Sequence, residues 1–160
     1  DHEQCVRLIR ESNRRLHIDE LDMDAAFSSY EYNILKYEIS CTQIHFAQAA
    51  PEEFRKDYAN MRAYMWFGLA DGVRNGLYVD GFDLAPELKR QMCSTTWLRD
   101  NTGRLLLVKK EDLRAALKMS PDIGDAAALT YVSRYSDDPV IVRKPAVDKA
   151  KIRRYRAMMG

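Results

Sequence analysis

Three aspartates carry the clearest chemical signal in this sequence. Asp24 closes a run in which apolar Ile18, Leu21 and Met23 alternate with acidic Asp19, Asp22 and Asp24, the pattern of a strand that ends in carboxylates. A carboxylate at the carboxyl end of a parallel strand lies where open α/β sheets place their ligands. Asp122 and Asp125 follow Ser120-Pro121, a helix-start signal. Spaced three apart on the first turn, their side chains share one helix face, where the dipole favours negative charge. The small residues Ala126, Ala127 and Ala128 let that helix lie close to a sheet and bring Asp125 toward Asp24. Hard cations such as Mg²⁺ are held by a few carboxylates together with water and substrate phosphate. Two such ions about 4 Å apart suit phosphodiester hydrolysis, one activating the attacking water and one stabilising the leaving oxygen. The plainer alternatives are a helix cap or dipole partner for the helical pair and loop solvation for Asp24.

Other chemistry-bearing side chains form weaker patterns. His45 stands beside Phe46 in an apolar strand and reads as a packing histidine rather than a ligand or base. Ser28-Ser29 reads as a helix cap, with no His/Asp arrangement to make either a nucleophile. Cys5, Cys41 and Cys93 lack metal-ligand spacing and read as buried thiols of a reducing compartment. Tyr30, Tyr32, Tyr37, Tyr64, Trp66 and Phe67 read as helix packing. No glycine-rich phosphate loop is present, so the sequence shows no ATPase site.

The elements that must position the acids follow from periodicity. The chain has 160 residues, enough for one compact domain. The pattern predicts a helix over 3–16, a strand over 18–24, a helix over 28–36 and a strand over 41–46, together a helix and a βαβ unit. A long helix is expected from Pro51 to about Asn75, with Phe54, Tyr58, Met61, Met65 and Leu69 on one face. A short strand over 77–79, a helix over 84–92, a hairpin pairing 95–99 with 105–108, a helix over 111–117 and a last helix from Ser120 to about Arg134 complete the series. The expected division is a domain over 1–135 and an extended basic tail over 136–160, which holds Lys144, Lys149, Lys151, Arg153, Arg154 and Arg156. Strands interleaved with helices argue an α/β class, and the hairpin argues a mixed sheet. Lys and Arg number 25 against 24 Asp and Glu, so DNA contact would depend on local patches rather than on net charge. No run is apolar enough for a membrane span or a signal peptide, and the expected compartment is the cytoplasm.

Four segments together resemble a known family. They are Ile44-His45-Phe46-Ala47, the stretch Tyr58-Ala59-Asn60-Met61-Arg62-Ala63-Tyr64-Met65-Trp66, the run Leu105 to Glu111, and Ser120-Pro121-Asp122-Ile123-Gly124-Asp125-Ala126. In order and spacing they resemble the C-terminal nuclease domain of tailed-phage terminase large subunits, and Met23-Asp24-Ala25-Ala26-Phe27-Ser28-Ser29 is similar to that family's acidic strand end. The resemblance covers about Leu16 to Val132, and its last motif is the most specific.

The resemblance implies a ribonuclease-H-like mixed sheet flanked by helices, in which acids from separate elements hold two Mg²⁺ or Mn²⁺ ions. It assigns catalysis to Asp24 and Asp125 and a supplementary metal-ligand role to Asp122. The family's first acidic residue lies on an earlier strand and has no counterpart here, since Asp19 and Asp22 belong to the strand already assigned. The expected domain therefore lacks its first strands and, alone, cleaves poorly. The candidate phosphate contacts are Lys109 and Lys110, beyond the apolar strand, with Arg99 and Arg104 on the hairpin. The implied partners are double-stranded viral DNA, the portal protein, the small terminase subunit and an ATPase domain of the same polypeptide, in the cytoplasm of a bacterial host. Two alternatives stand beside this: a non-catalytic portal or DNA docking module, and another ribonuclease-H-like nuclease such as a resolvase or integrase relative.

Overall fold

A computed structural model describes residues 1–77 and 83–132. The expected strand over 77–79 falls mostly outside these residues, and the basic tail over 136–160 falls wholly outside them. The chain opens with α1 (His2–Leu16), capped by the Asp1 side chain and closed by His17 in the left-handed conformation. It continues through β1 (Leu21–Asp24), α2 (Ser29–Leu35) and β2 (Cys41–Ile44). The two strands pair in parallel with Asp24 opposite Ile44, so the βαβ reading of the sequence holds. Met23, Leu35 and Ile39 pack with Val6 of α1 into a small core.

The helix expected from Pro51 is shorter than its apolar pattern. A single 3₁₀ turn at Glu52–Phe54 comes first, and α3 runs only from Met61 to Arg74. The physical reason is Asn60, which is extended and accepts the Ala63 N–H through its side chain at 2.9 Å, a cap that starts a new helix. Before it, Leu105 and the 57–59 segment exchange backbone hydrogen bonds, Leu105 N–H to Asp57 C=O and Ala59 N–H to Leu105 C=O. Phe54 and Tyr58 still pack beside the core that Met61, Met65 and Leu69 enter, but across a loop. Apolar residues on every side of α3 make it the central helix, with Met61, Ala63, Tyr64, Met65, Trp66 and Leu69 all buried.

Then come α4 (Ala85–Ser94), β3 (Trp97–Arg99), β4 (Leu105–Leu107), α5 (Lys110–Leu117) and α6 (Asp122–Leu129). The last helix is shorter than the sequence pattern suggests, and Tyr131 and Val132 close it with turn hydrogen bonds. β3 and β4 form the expected hairpin around Asp100–Gly103, with Gly103 at φ 85°. Among the described residues the parallel pair and the hairpin are separate two-stranded ladders, with the single bridge of Tyr58 to Leu105 beside the hairpin. α6 packs on α3, α4 and β1, which places its first turn beside the end of β1.

Several side chains lie differently from their sequence reading. Cys5 and Cys93 are exposed and Cys41 is half-buried, because α1 and α4 turn only narrow faces inward. His45 is exposed in the turn after β2, which ends one residue earlier. Ser28 occupies the cap position of α2, yet its hydroxyl donates backward to the Asp24 carbonyl at 2.7 Å. Tyr64 and Trp66 are buried as expected, whereas Tyr30 and Tyr37 are exposed.

Candidate functional site

The end of β1 and the first turn of α6 meet at one cavity of about 390 Å³. Asp24, Asp122 and Asp125 all line it, together with Lys110, Arg114 and Ser120. An apolar wall of Phe27, Phe46, Ala126 and Leu129 completes it. The two elements carrying the predicted acids thus converge as the sequence pattern anticipates.

Asp125 is held by the central helix. Only 4% exposed, it accepts the Trp66 indole N–H at 2.8 Å and the Arg62 Nε–H at 3.3 Å, both on Oδ1. Arg62 and Trp66 are four apart on α3, so their side chains rise from one face, with the guanidinium over the indole at 5.9 Å. Arg62 is itself fixed by a hydrogen bond from Nη1 to the Val108 carbonyl at 3.2 Å. The other carboxylate oxygen, Oδ2, has Lys110 Nζ as an ionic neighbour at 2.7 Å but lacks a hydrogen bond of good geometry. Lys110 also stands 3.7 Å from Asp122, which is exposed and accepts from the Ser120 hydroxyl.

Gly124 sets how closely α6 approaches. A Cβ there would fall 2.4 Å from Trp66 Cη2, so only glycine lets the indole pass under the helix and reach Asp125. Pro121 precedes α6 and offers no side-chain cap. Gln91 of α4, 1% exposed, supplies one from outside: its Oε1 accepts the Gly124 N–H at 2.8 Å, and its Nε2 donates to Glu87. The predicted close approach through Ala126–Ala128 is therefore only part of the account. Ala128 is fully buried, but Ala126 faces the cavity and Gly124 makes the tightest contact.

Asp24 is held more lightly. Half-buried, it accepts the Ala26 N–H on Oδ1 at 3.0 Å, a local turn that caps the strand end. Its carbonyl gathers the Phe27 and Ser28 N–H groups at 3.2 and 3.1 Å. No cation pairs with it among the described ion pairs.

The expected DNA contacts separate into two groups. Lys110 lines the cavity and Lys109 is exposed beside it at the start of α5. Arg99 and Arg104 belong to the hairpin, where Arg99 donates to the Gly103 carbonyl and Arg104 to Asp100 at 2.9 Å. Neither arginine lines the cavity. The sequence pattern gives no site role to Arg62, Trp66 or Arg114, which the structure brings to the acids, or to Gln91, which it brings to the first turn of α6. The spacing of Arg62 and Trp66 behind an Asn cap is a usable signal, whereas nothing local ties Gln91 to Gly124.

Among the described residues no three His, Cys, Asp or Glu side chains stand close enough to make a ready metal cluster. Asp24 and Asp125 border one cavity with carboxylate oxygens, the donor type that a hard divalent cation takes. Lys110 Nζ supplies the positive charge beside Asp125 Oδ2.

No family model and no curated protein matches the sequence. Solved structures do resemble it. The nuclease domain of the large terminase subunit gp2 of bacterial virus Sf6 superposes with a TM-score of 0.62 at 17% identity, over 80% of this chain and 69% of that one. A lysine-to-alanine variant of the same domain with manganese gives 0.63 at 17% identity, over 80% and 70%. The corresponding variant with calcium also gives 0.63 at 17% identity, over 80% and 69%. At that identity the likeness speaks for architecture: the chain has the ribonuclease-H-like α/β fold seen in the nuclease domain of a phage large terminase subunit.

Proposed function

We propose that this chain is a divalent-metal-dependent endonuclease domain that cuts double-stranded DNA during viral genome packaging. The observation that carries the reading is the convergence of Asp24, Asp122 and Asp125 on one cavity that also holds Lys110 and Arg114. Acids to hold cations and cations to receive phosphate occupy one concave surface, the combination that phosphodiester hydrolysis requires. The manganese and calcium in the similar Sf6 domain support the same class of ligand.

On this reading Asp24 and Asp125 hold the metal, Mg²⁺ or Mn²⁺, and Asp122 supplements them from the cavity mouth. The metal supplies Lewis-acid activation and charge neutralisation at the scissile phosphate. Arg62 and Trp66 hold the Asp125 carboxylate in one orientation. Lys110 neutralises Asp125, and a cation held by that carboxylate would leave the Lys110 ammonium available to DNA phosphate. Arg114 offers a second positive charge on the same wall. Two ions would need further oxygen ligands from substrate or polypeptide. The packaging assignment brings with it the portal, the small subunit and an ATPase domain as partners, in the bacterial cytoplasm.

The test is cleavage of supercoiled and linear DNA by the polypeptide that carries this domain, in Mn²⁺ or Mg²⁺. Nicking and linearisation that chelator abolishes and that Asp125→Asn lowers by orders of magnitude are expected. Cleavage that persists in chelator, or that runs at full rate in the Asp125→Asn variant, would overturn the metal mechanism. A protein that binds portal but never cuts would favour the docking module, and a preference for branched DNA would favour a resolvase.

A further inference from the structure

We propose that Phe27 stacks on a nucleobase lifted out of the DNA helix beside the phosphate to be cut. The inference rests on the nuclease reading and names the substrate contact which that reading leaves open. Phe27 is 69% exposed and is carried on a turn ordered around Asp24. Its own N–H binds the Asp24 carbonyl at 3.2 Å. On either side of it, the Ala26 N–H binds the Asp24 carboxylate at 3.0 Å and the Ser28 hydroxyl binds the Asp24 carbonyl at 2.7 Å. The backbone that carries the ring is therefore fixed relative to the proposed metal ligand.

Its position is also chemically divided. Phe27 and Phe46 form the apolar side of the cavity, while the aspartates, Lys110 and Arg114 form the polar side. Metal and phosphate use only the polar side. An apolar wall on the same concave surface matches the flat, largely apolar face of a base attached to the phosphate being held. A straight duplex keeps its bases stacked and offers only its backbone to such a recess, so a base reaches the wall only by leaving the stack. Base–aromatic stacking favours the extruded base and is indifferent to sequence, because every base has an aromatic face. Lys110 Nζ stands 5.9 Å from the Phe27 ring centroid, linking the cation that faces Asp125 to the ring that would meet the base. Other exposed apolar side chains, such as Leu16 and Tyr37, lie outside this cavity.

The experiment uses the full-length polypeptide and duplexes carrying 2-aminopurine at successive positions, bound in Ca²⁺ and then cleaved in Mn²⁺. Binding of the parent protein should raise 2-aminopurine fluorescence as the base unstacks, and Phe27→Ala should abolish the rise. Phe27→Ala should cut a fully paired duplex about tenfold more slowly or worse, with the deficit shrinking to about twofold on a duplex with a mismatched bubble at the cut, where unstacking is already done. Phe27→Trp should restore both signals and Phe27→Leu should not. Equal cleavage of paired DNA by Phe27→Ala, an equal deficit on paired and bubble substrates, or full rescue by Leu would overturn the proposal. A fluorescence rise with no metal-dependent cleavage would remove the nuclease reading and leave the Phe27 contact. Cleavage without any rise would do the reverse, and neither signal would remove both.

Discussion

Asp125 and Asp24 border the same cavity and are held by very different surroundings. Asp125 sits against the larger core, where α3 supplies Trp66 and Arg62 and α5 supplies Lys110. Asp24 ends a four-residue strand over the smaller core, held by hydrogen bonds within its own turn. One acid is built into the protein's interior and the other is added at an edge. The difference teaches that two side chains proposed for one chemical task need not carry equal structural weight, so catalytic and stability measurements should part company between them.

The largest expected effect breaks or confirms that contrast directly. If the proposed mechanism holds, Asp125→Asn and Asp24→Asn should each lower metal-dependent cleavage by at least about 100-fold, since either change would remove a proposed charged metal ligand. Their stabilities should differ. The Asp125→Asn change leaves the Arg62 guanidinium, its side chain only 11% exposed, without its counter-charge, at a cost of about 1–3 kcal/mol. The Asp24→Asn change keeps an oxygen for the Ala26 N–H and should stay within about 0.5 kcal/mol of the parent. Urea unfolding read beside cleavage rates checks both, and equal stability losses would erase the distinction.

Gly124→Ala sharpens the comparison from the side of packing. The added methyl meets the Trp66 ring at 2.4 Å, and the conflict should cost about 1–3 kcal/mol while drawing the indole N–H away from Asp125. Trp66 emission should shift as its hydrogen bond is lost, although Trp97 must first be replaced by Phe to isolate the signal. A variant of unchanged stability would mean that α6 moves freely, and that Asp125 is less fixed than its contacts imply.

The basic residues give a smaller effect. Lys109 is exposed, while Lys110 is engaged with Asp125. In metal-free buffer, Lys109→Ala should lower the salt slope of DNA binding by about one phosphate contact and Lys110→Ala by less. With Ca²⁺ present both should count. Equal slopes for the two variants under both conditions would show that the Lys110–Asp125 pair does not govern access to phosphate.

Much of this arrangement is legible in the sequence because its signals are local. The alternation ending at Asp24, the Ser-Pro start before Asp122, and the i, i+3 spacing to Asp125 each depend on neighbours in sequence. The long helix expected from Pro51 fails because an apolar period runs across Phe54, Tyr58 and Met61 in two segments that face the same core, and periodicity alone does not see the break that Asn60 makes. The frame of Asp125 is illegible for another reason. Gln91 reaches Gly124 across 33 positions and Trp66 reaches Asp125 across 59, so only the packing of α3, α4 and α6 reveals them. Cysteine burial is misread similarly, since a thiol's exposure depends on which face of α1 or α4 finds a partner.

The smallest expected effect concerns Asp22, which precedes Met23 on β1 and shares its strand face with Asp24. Desolvation by burial, aided by the nearby Glu20 charge, pushes its carboxyl up from 3.8 to about 6. A raised acid favours the protonated folded state, so its stabilising contribution is present in full below the unfolded value near 4 and is lost as pH rises through about 6. Asp22→Asn holds the neutral form at every pH. Because Asp22 remains half-exposed, solvent screening reduces the gain to under about 1 kcal/mol at pH 7.5, or a rise of about 1–3 °C in Tm. At pH 4 the two proteins should melt together. Thermal unfolding at both pH values decides the point: a gain of the same size at pH 4 would assign the benefit to packing, and none at pH 7.5 would mean that β1 already lets water reach the charge. Either result would also say how firmly the smaller core holds the strand that delivers Asp24.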